Sequence, residues 1–335
     1  MSSLTSQFEQ ACSNIEPPNA DVSHAADAHE AIRAVLAADE TLTAWGVSTA
    51  LIGSYDRHVS ILRIKDVDVF CTFDALPNDI EPQALVEAVF NALKDEYGDD
   101  RVDRQKRSAK VTFPKYGELY VDAVPARRAG DHWEIPQRND AQQPWAATDP
   151  AQMAVLSSAM NADHHDKYVP VVKLIRQARR ALLGAGVRPG GFWSEMAFYR
   201  ACAEGRVTPD GTLARQFTEG LEAIADLTDA KVVTGADLPN PAVEGEVITI
   251  TATKTQWNAA QSKMRDAATR ARDALDGTDR CMAALTFQDL LGGNDEHDHV
   301  FPLPNDCNAD GTRKAAALGV TPGDRRVPAG NKRFA

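Results

Sequence analysis

The chain has 335 residues, 43% of them hydrophobic and 25% charged, with a formal net charge of -12, which excludes fibrous and disordered classes and leaves room for one large or two moderate domains. An acidic balance of this size argues against wrapping long nucleic acid, which needs basic side chains to neutralise phosphates, but permits a small polyanion held with metal. No apolar run is long enough to span a bilayer, and the N-terminus MSSLTSQFEQACSNIEPP lacks the basic start and apolar stretch of a secretory signal, so no membrane association is expected and the cytoplasm is the expected compartment.

Alanine-rich, helix-periodic spacing from Ala25 to Ala44 predicts a helix that leads into a short β-branched strand, Val47 to Ile52, ending at Gly53-Ser54. The run Ile64 to Phe73 (IKDVDVFCTF) predicts a second strand, with Asp66, Asp68 and Phe70 on one face and Val67, Val69 and Cys71 on the other. A helix follows from Pro82 to Tyr97, its proline suited to the first turn. Ala109 to Phe113 and Glu118 to Val124 read as a hairpin through Lys115-Tyr116-Gly117. Arg101, Arg104, Lys106, Arg107 and Lys110 precede it as a basic cluster, read as a solvated loop or as a patch for an acceptor nucleotide or an activating nucleic acid.

Beyond Pro125 strand signals nearly vanish. Thr148-Asp149-Pro150 opens a mostly helical half, with helices expected near 150–161, 167–183, 191–204, 211–229, 256–276 and 278–291 and one short strand at Val247 to Thr251. Five scattered cysteines (Cys12, Cys71, Cys202, Cys281, Cys307) without a C-x-x-C pair argue against a disulfide framework and a zinc ribbon. From Arg313 onward six Lys or Arg face one acid, Asp324, and residues Val320 to Ala335 read as a flexible tail.

The informative constellation is the Gly53-Ser54 turn, the alternating Asp66 and Asp68 on one strand, and Asp122 on another. Nucleotidyl transfer places negative charge on attacking, bridging and leaving oxygens, and two metal ions can offset it. Magnesium prefers carboxylate oxygen, and carboxylates at i and i+2 of a strand reach the same space. A D-x-D triplet alone is commonly a polar strand face. Two aspartates on one face of an apolar strand and a third inside LYVDAVP are costly without a partner that offsets the repulsion.

The string GSYDRHVSILRIKDVDVF resembles the G-S to D-x-D signature of the polymerase β-like nucleotidyltransferase superfamily, and VDAVPA resembles its third-aspartate strand. Within that superfamily the chain is most similar to the CD-NTases, bacterial relatives of cyclic GMP-AMP synthase and oligoadenylate synthase that make cyclic oligonucleotide signals in anti-phage (CBASS) defence. WAATDP, YVPVVKLIRQARR, LTFQDLLGG and VFPLP are similar to later segments of that family, so the resemblance spans roughly residues 25–305. It implies an α+β fold: a polymerase β-like core with a mixed sheet over 1–150, a packed helical domain over 151–305 and a C-terminal segment over 306–335.

The resemblance further implies metal binding by Asp66, Asp68 and Asp122, with Mg2+ as two ions and Mn2+ as a substitute, and nucleoside triphosphate contact by Gly53 and Ser54. Tyr55, beside the phosphate turn, is a candidate to stack on a base. Arg176 stands where the family often places a phosphate-contacting lysine, with Lys173 one turn earlier; the other reading makes Lys173, Arg176, Arg179 and Arg180 a solvated helix face. The tail ending in Ala335 suggests a conjugation or regulatory partner. The rival functions are a nucleotidyltransferase acting on an antibiotic, RNA or protein, and a catalytically silent nucleotide-binding scaffold.

Overall fold

The computed structural model describes residues 4–77, 79–137 and 141–315. Eleven helices and seven strands occur among them. The chain opens with α1 (Thr5–Asn14) and α2 (Asn19–Ala38), then α3 (Glu40–Ala44), which Asp39 caps by accepting from Leu42 N. Strand β1 (Val47–Ile52) runs into the four-residue α4 (Gly53–Asp56), and β2 (Asp66–Phe73) follows. Next come α5 (Pro82–Tyr97), β3 (Val102–Arg104), β4 (Ala109–Thr112), a 3-10 turn at Pro114–Tyr116, and β5 (Tyr120–Ala129).

The strands form one mixed sheet in the order β1-β2-β5-β4-β3, extended beyond the end of β5 by β6 (His132–Pro136) and β7 (Trp145–Thr148). Only β2 and β5 run parallel, and their register sets Asp68 opposite Asp122 and Asp66 opposite Tyr120. Val67, Val69 and Cys71 point the other way, into an apolar cluster with Ile32 and Leu36 of α2 and Leu85 and Val89 of α5. The same two-residue period that buries one face of β2 therefore displays both aspartates on the opposite face.

The remaining helices are α6 (Pro150–Asp163), α7 (Tyr168–Leu183), α8 (Gly191–Ala203), α9 (Leu213–Thr234), α10 (Lys254–Asp276) and α11 (Arg280–Leu291). Four of these helices, α6, α9, α10 and α11, begin with a side-chain cap. Asp149 and Thr212 each accept from the backbone three residues on, Thr253 and Gln256 form a capping box, and Asp279 accepts from Cys281 N and Met282 N. Each such cap stabilises a helix by about 1 kcal/mol. These helices enclose a second apolar cluster, and α1 belongs to it: the Phe8 ring meets Phe217, Phe287 and Phe301 at centroid distances of 6.1, 4.9 and 5.0 Å.

Several expectations need correction. Strand structure continues past Pro125 through β6 and β7, half-exposed extensions whose short lengths give little alternation to read. The expected strand at Val247 to Thr251 reduces to a single bridge, Val247 to Pro239. The expected solvated loop around Arg101–Lys110 contains β3, and two of its arginines lie on rings, Arg101 over Tyr97 and Phe113 and Arg104 over Phe90, while Arg107 donates to Gln137 Oε1 at 2.7 Å. Cys281 and Cys307 form a disulfide, Cα to Cα 5.4 Å, because the segment after α11 folds back on that helix; separation along the chain carried no hint of this. Among the described residues no helix is long and apolar enough to cross a membrane. The tail from Val320 lies outside the described residues.

Candidate active site

Between sheet and helices lies a cavity of about 530 Å³ whose lining includes Gly53, Ser54, Asp66, Asp68, Asp122 and Arg176. The carboxylates arrive from adjacent parallel strands, so three negative groups share one wall. The surroundings of Asp68 and Asp122 resist ionisation. Burial, then the charges of Asp66 and Asp122, push the Asp68 carboxyl up to about 7, although Arg57 and Arg176 pull the other way. Burial also raises Asp122, to about 6, against a hydrogen bond of 3.1 Å that Ser108 Oγ donates to its Oδ1. Carboxyls held this high by burial and by one another are short of positive charge, which a hard cation with oxygen preference would supply. The donor set thus fits a divalent ion in kind. Among the described residues, however, no three such groups converge closely enough to form a ready-made coordination sphere.

The Gly53-Ser54 turn packs directly on this wall. Gly53 has φ +81°, and a Cβ built there would lie 2.1 Å from Asp68 Oδ2, so only glycine lets the turn approach the carboxylate. Ser54 Oγ lies 3.1 Å from Ser60 Oγ. It also lines a second hollow of about 440 Å³, shared with Asp66 and Arg176 and carrying Arg63, Arg179 and Arg180. A carboxylate wall beside an arginine-rich recess separates a place for metal from a place for phosphate oxygens.

Not every expected residue reaches the cavity. The Tyr55 ring turns away to pack with the sheet-side cluster, 6.1 Å from the His29 ring, with its hydroxyl 3.5 Å from Val22 O. Lys173 is also drawn elsewhere: its Nζ donates to both carboxylate oxygens of Glu16 at 2.7 and 2.6 Å, on the side of α7 that faces the N-terminal segment. The solvated-face reading of α7 fails with it. Lys173 and Arg179 are buried, Arg179 donates to Pro189 O and Gly184 O, and Arg180 donates to Leu62 O, because neighbouring elements cover α7 on several sides.

Most other lining groups went unread in the sequence, Arg107 of the basic cluster excepted. Arg57, the residue closing α4, donates through Nε and Nη2 to Glu195 of α8 at 2.8 and 3.1 Å. Burial works against its charge, and the Glu195 carboxylate more than offsets this and raises its pKa. Arg107, Ser108, Arg188 and Phe192 line the cavity as well. Glu195 had left one trace: a single acid in the otherwise apolar GFWSEMAF stretch.

Residues 1–161 match the family model described as the Second Messenger Oligonucleotide or Dinucleotide Synthetase (SMODS) domain. The chain is similar to a Cyclic AMP-AMP-AMP synthase of an Acinetobacter species, 28% identical over 94% of this chain and 92% of that one. Its fold is similar to CdnC of Escherichia coli MS115-1, solved with ATP (TM-score 0.66, 15% identity, covering 89% of this chain and 98% of that one). It is likewise similar to the CD-NTase CdnG of Bradyrhizobium diazoefficiens, solved with GTP (TM-score 0.64, 17% identity, 81% and 91%).

Proposed function

We propose that the chain is a cyclic-oligonucleotide synthase of the CD-NTase family and that it joins nucleoside triphosphates, ATP first among them, into a cyclic di- or trinucleotide signal for anti-phage defence. The carrying observation is the meeting of Asp66, Asp68 and Asp122 with the Gly53-Ser54 turn on one cavity wall. ATP is favoured by the adenylate product in the name of the Acinetobacter relative and by the nucleotide solved with CdnC.

In this reading a ribose hydroxyl oxygen attacks the α-phosphorus of a second nucleotide, the new P–O bond forms as the bond to the β-phosphate oxygen breaks, and pyrophosphate leaves. Asp122 takes the hydroxyl proton. Its carboxyl, raised to about 6, is close to the working range of a general base, and Ser108 fixes its orientation. Ser54 and Arg176 hold triphosphate oxygens, with Arg176 the phosphate contact and Lys173 excluded by its pairing with Glu16. Asp66, Asp68 and Asp122 would hold divalent cations, magnesium in our proposal, which offset the charge on the transferring phosphate. The helices and the sheet form the two walls of this cleft and would orient both nucleotides between them. The division at residue 150 into catalytic and helical parts is carried forward, with α1 assigned to the helical side by its packing.

The test is direct. Asp66→Asn combined with Asp68→Asn should abolish release of pyrophosphate and formation of a phosphatase-resistant product from ATP and magnesium, measured by chromatography and mass spectrometry. Undiminished turnover in that variant sinks the assignment. A wild-type protein that consumes ATP only when an antibiotic, RNA or protein acceptor is added would instead favour transfer to that acceptor.

A further inference from the structure

The most completely buried acid of the helical half has no place in the chemistry just described. Glu195, on α8, is 0% exposed. An isolated carboxylate at such a position would be strongly disfavoured, and its persistence demands cationic partners held in good geometry. It has two, from different parts of the fold. Arg57 grips it bidentately at 2.8 and 3.1 Å, and Arg176 Nη1 approaches Oε2 at 3.4 Å.

Each arginine is joined to the cavity. Arg57 closes the four-residue turn that begins at Gly53, its backbone N–H donating to Gly53 O at 3.2 Å. The Arg57 guanidinium is therefore a handle on the Gly53-Ser54 turn. Arg176 lines both the carboxylate cavity and the arginine-rich recess. Its guanidinium also lies against the first residue of α8, where a Cβ built on Gly191 would come within 3.1 Å of Cζ. Arg176 is thus cradled between Gly191 and Glu195, one turn apart on the same helix. Its Nε is buried with no partner, a polar atom left for something that enters the site.

We propose that Glu195 is a positioning residue: one buried carboxylate on α8 sets the Gly53-Ser54 turn through Arg57 and the triphosphate-binding guanidinium through Arg176, so that turn and cation face Asp68 at a fixed spacing. The proposal rests on the reading of the site given above. A carboxylate serves better than a neutral group because it can hold two guanidiniums at once, and bidentate pairing fixes direction as well as distance. Polar contacts that orient groups at a reacting centre typically affect function by about 10–100-fold when removed.

The experiment compares full-length wild type, Glu195→Gln, Arg176→Met and the double variant by pyrophosphate release from ATP with magnesium. Removing one partner of a buried ion pair destabilises strongly, whereas replacing both with apolar residues is tolerated. Arg57→Met with Glu195→Met therefore provides a folded control, checked by melting temperature. Expected is a rise of about tenfold in KM and a fall of about tenfold or more in kcat for Glu195→Gln. The KM effect should not recur in the Arg176→Met background, because it acts through Arg176. The Arg57→Met, Glu195→Met protein should melt near wild type yet keep the kcat loss. A KM increase that multiplies in the Arg176→Met background, or a Glu195→Gln enzyme with both constants within about threefold of wild type, overturns the positioning role while leaving the synthase reading intact. A wild type that releases no pyrophosphate from any nucleoside triphosphate overturns both.

Discussion

Replacing Gly53 by alanine separates stability from activity at a single atom. The substitution has two costs. A side chain at φ +81° carries a backbone penalty of about 1–2 kcal/mol, which for a chain of this size lowers Tm by about 1–3 °C. The new Cβ would also fall 2.1 Å from Asp68 Oδ2, whereas real Cβ atoms keep at least 3.0 Å, so the carboxylate must retreat by about 1 Å. That retreat is cheap for folding, since Oδ2 ends a rotatable side chain. It is expensive for chemistry, because a misplacement of about 1 Å at a reacting centre costs about 100-fold. Pyrophosphate release with saturating ATP and magnesium should fall by about two orders of magnitude in a protein that still melts cooperatively within a few degrees of wild type. Turnover within about threefold of wild type would refute the claim that the turn and Asp68 are in contact in the working enzyme.

Two further outcomes follow from the same geometry. The folded-state carboxyls of Asp68 and Asp122, at about 7 and about 6, lie above the usual aspartate value of 3.8, so their contribution to stability is fully present below that value and is lost progressively as pH rises from 3.8 through about 6 and about 7. Without divalent cations the melting temperature should therefore decline across that window, and the increment produced by magnesium or manganese should be larger at pH 7.5 than at pH 5.5, as followed by differential scanning fluorimetry; equal increments would contradict the assignment of these carboxylates as the cation-binding groups. Lys173→Met should lower the melting temperature by breaking the pair with Glu16 yet leave KM for ATP within about twofold of wild type; a large KM increase in steady-state kinetics would return Lys173 to the nucleotide site.

What could be read from the sequence was what is periodic or local. Asp66, Asp68 and the apolar residues between them announce a two-sided strand, and the caps at Asp149, Thr253 and Asp279 announce helix starts. The pairing of β2 with β5, which sets Asp122 beside Asp68, needed the family pattern because register between distant strands leaves no local mark. Tyr55 and Lys173 were misplaced for a related reason: nearness in the chain to the turn or to Arg176 does not fix direction, and both side chains found partners on α2 and the N-terminal segment. Glu195 and Arg57 are separated by 138 residues, and an ion pair of that kind becomes visible only when the fold closes over it.

The packing of α1 also bears on how this molecule can be divided. Phe8 sits among three phenylalanines of the helical half, Asn14 Nδ2 donates to Val300 O, and Asn294 Nδ2 donates to Asn14 O. The start of the chain is laced to its far end before it enters the sheet. A cut at Pro150 would not release a self-sufficient catalytic module; it would strand α1 with an exposed apolar face and strip the helical half of one of its walls. The two halves are interchangeable parts only if the first sixteen residues travel with the second, so recombination between relatives at this fold must respect three segments rather than two.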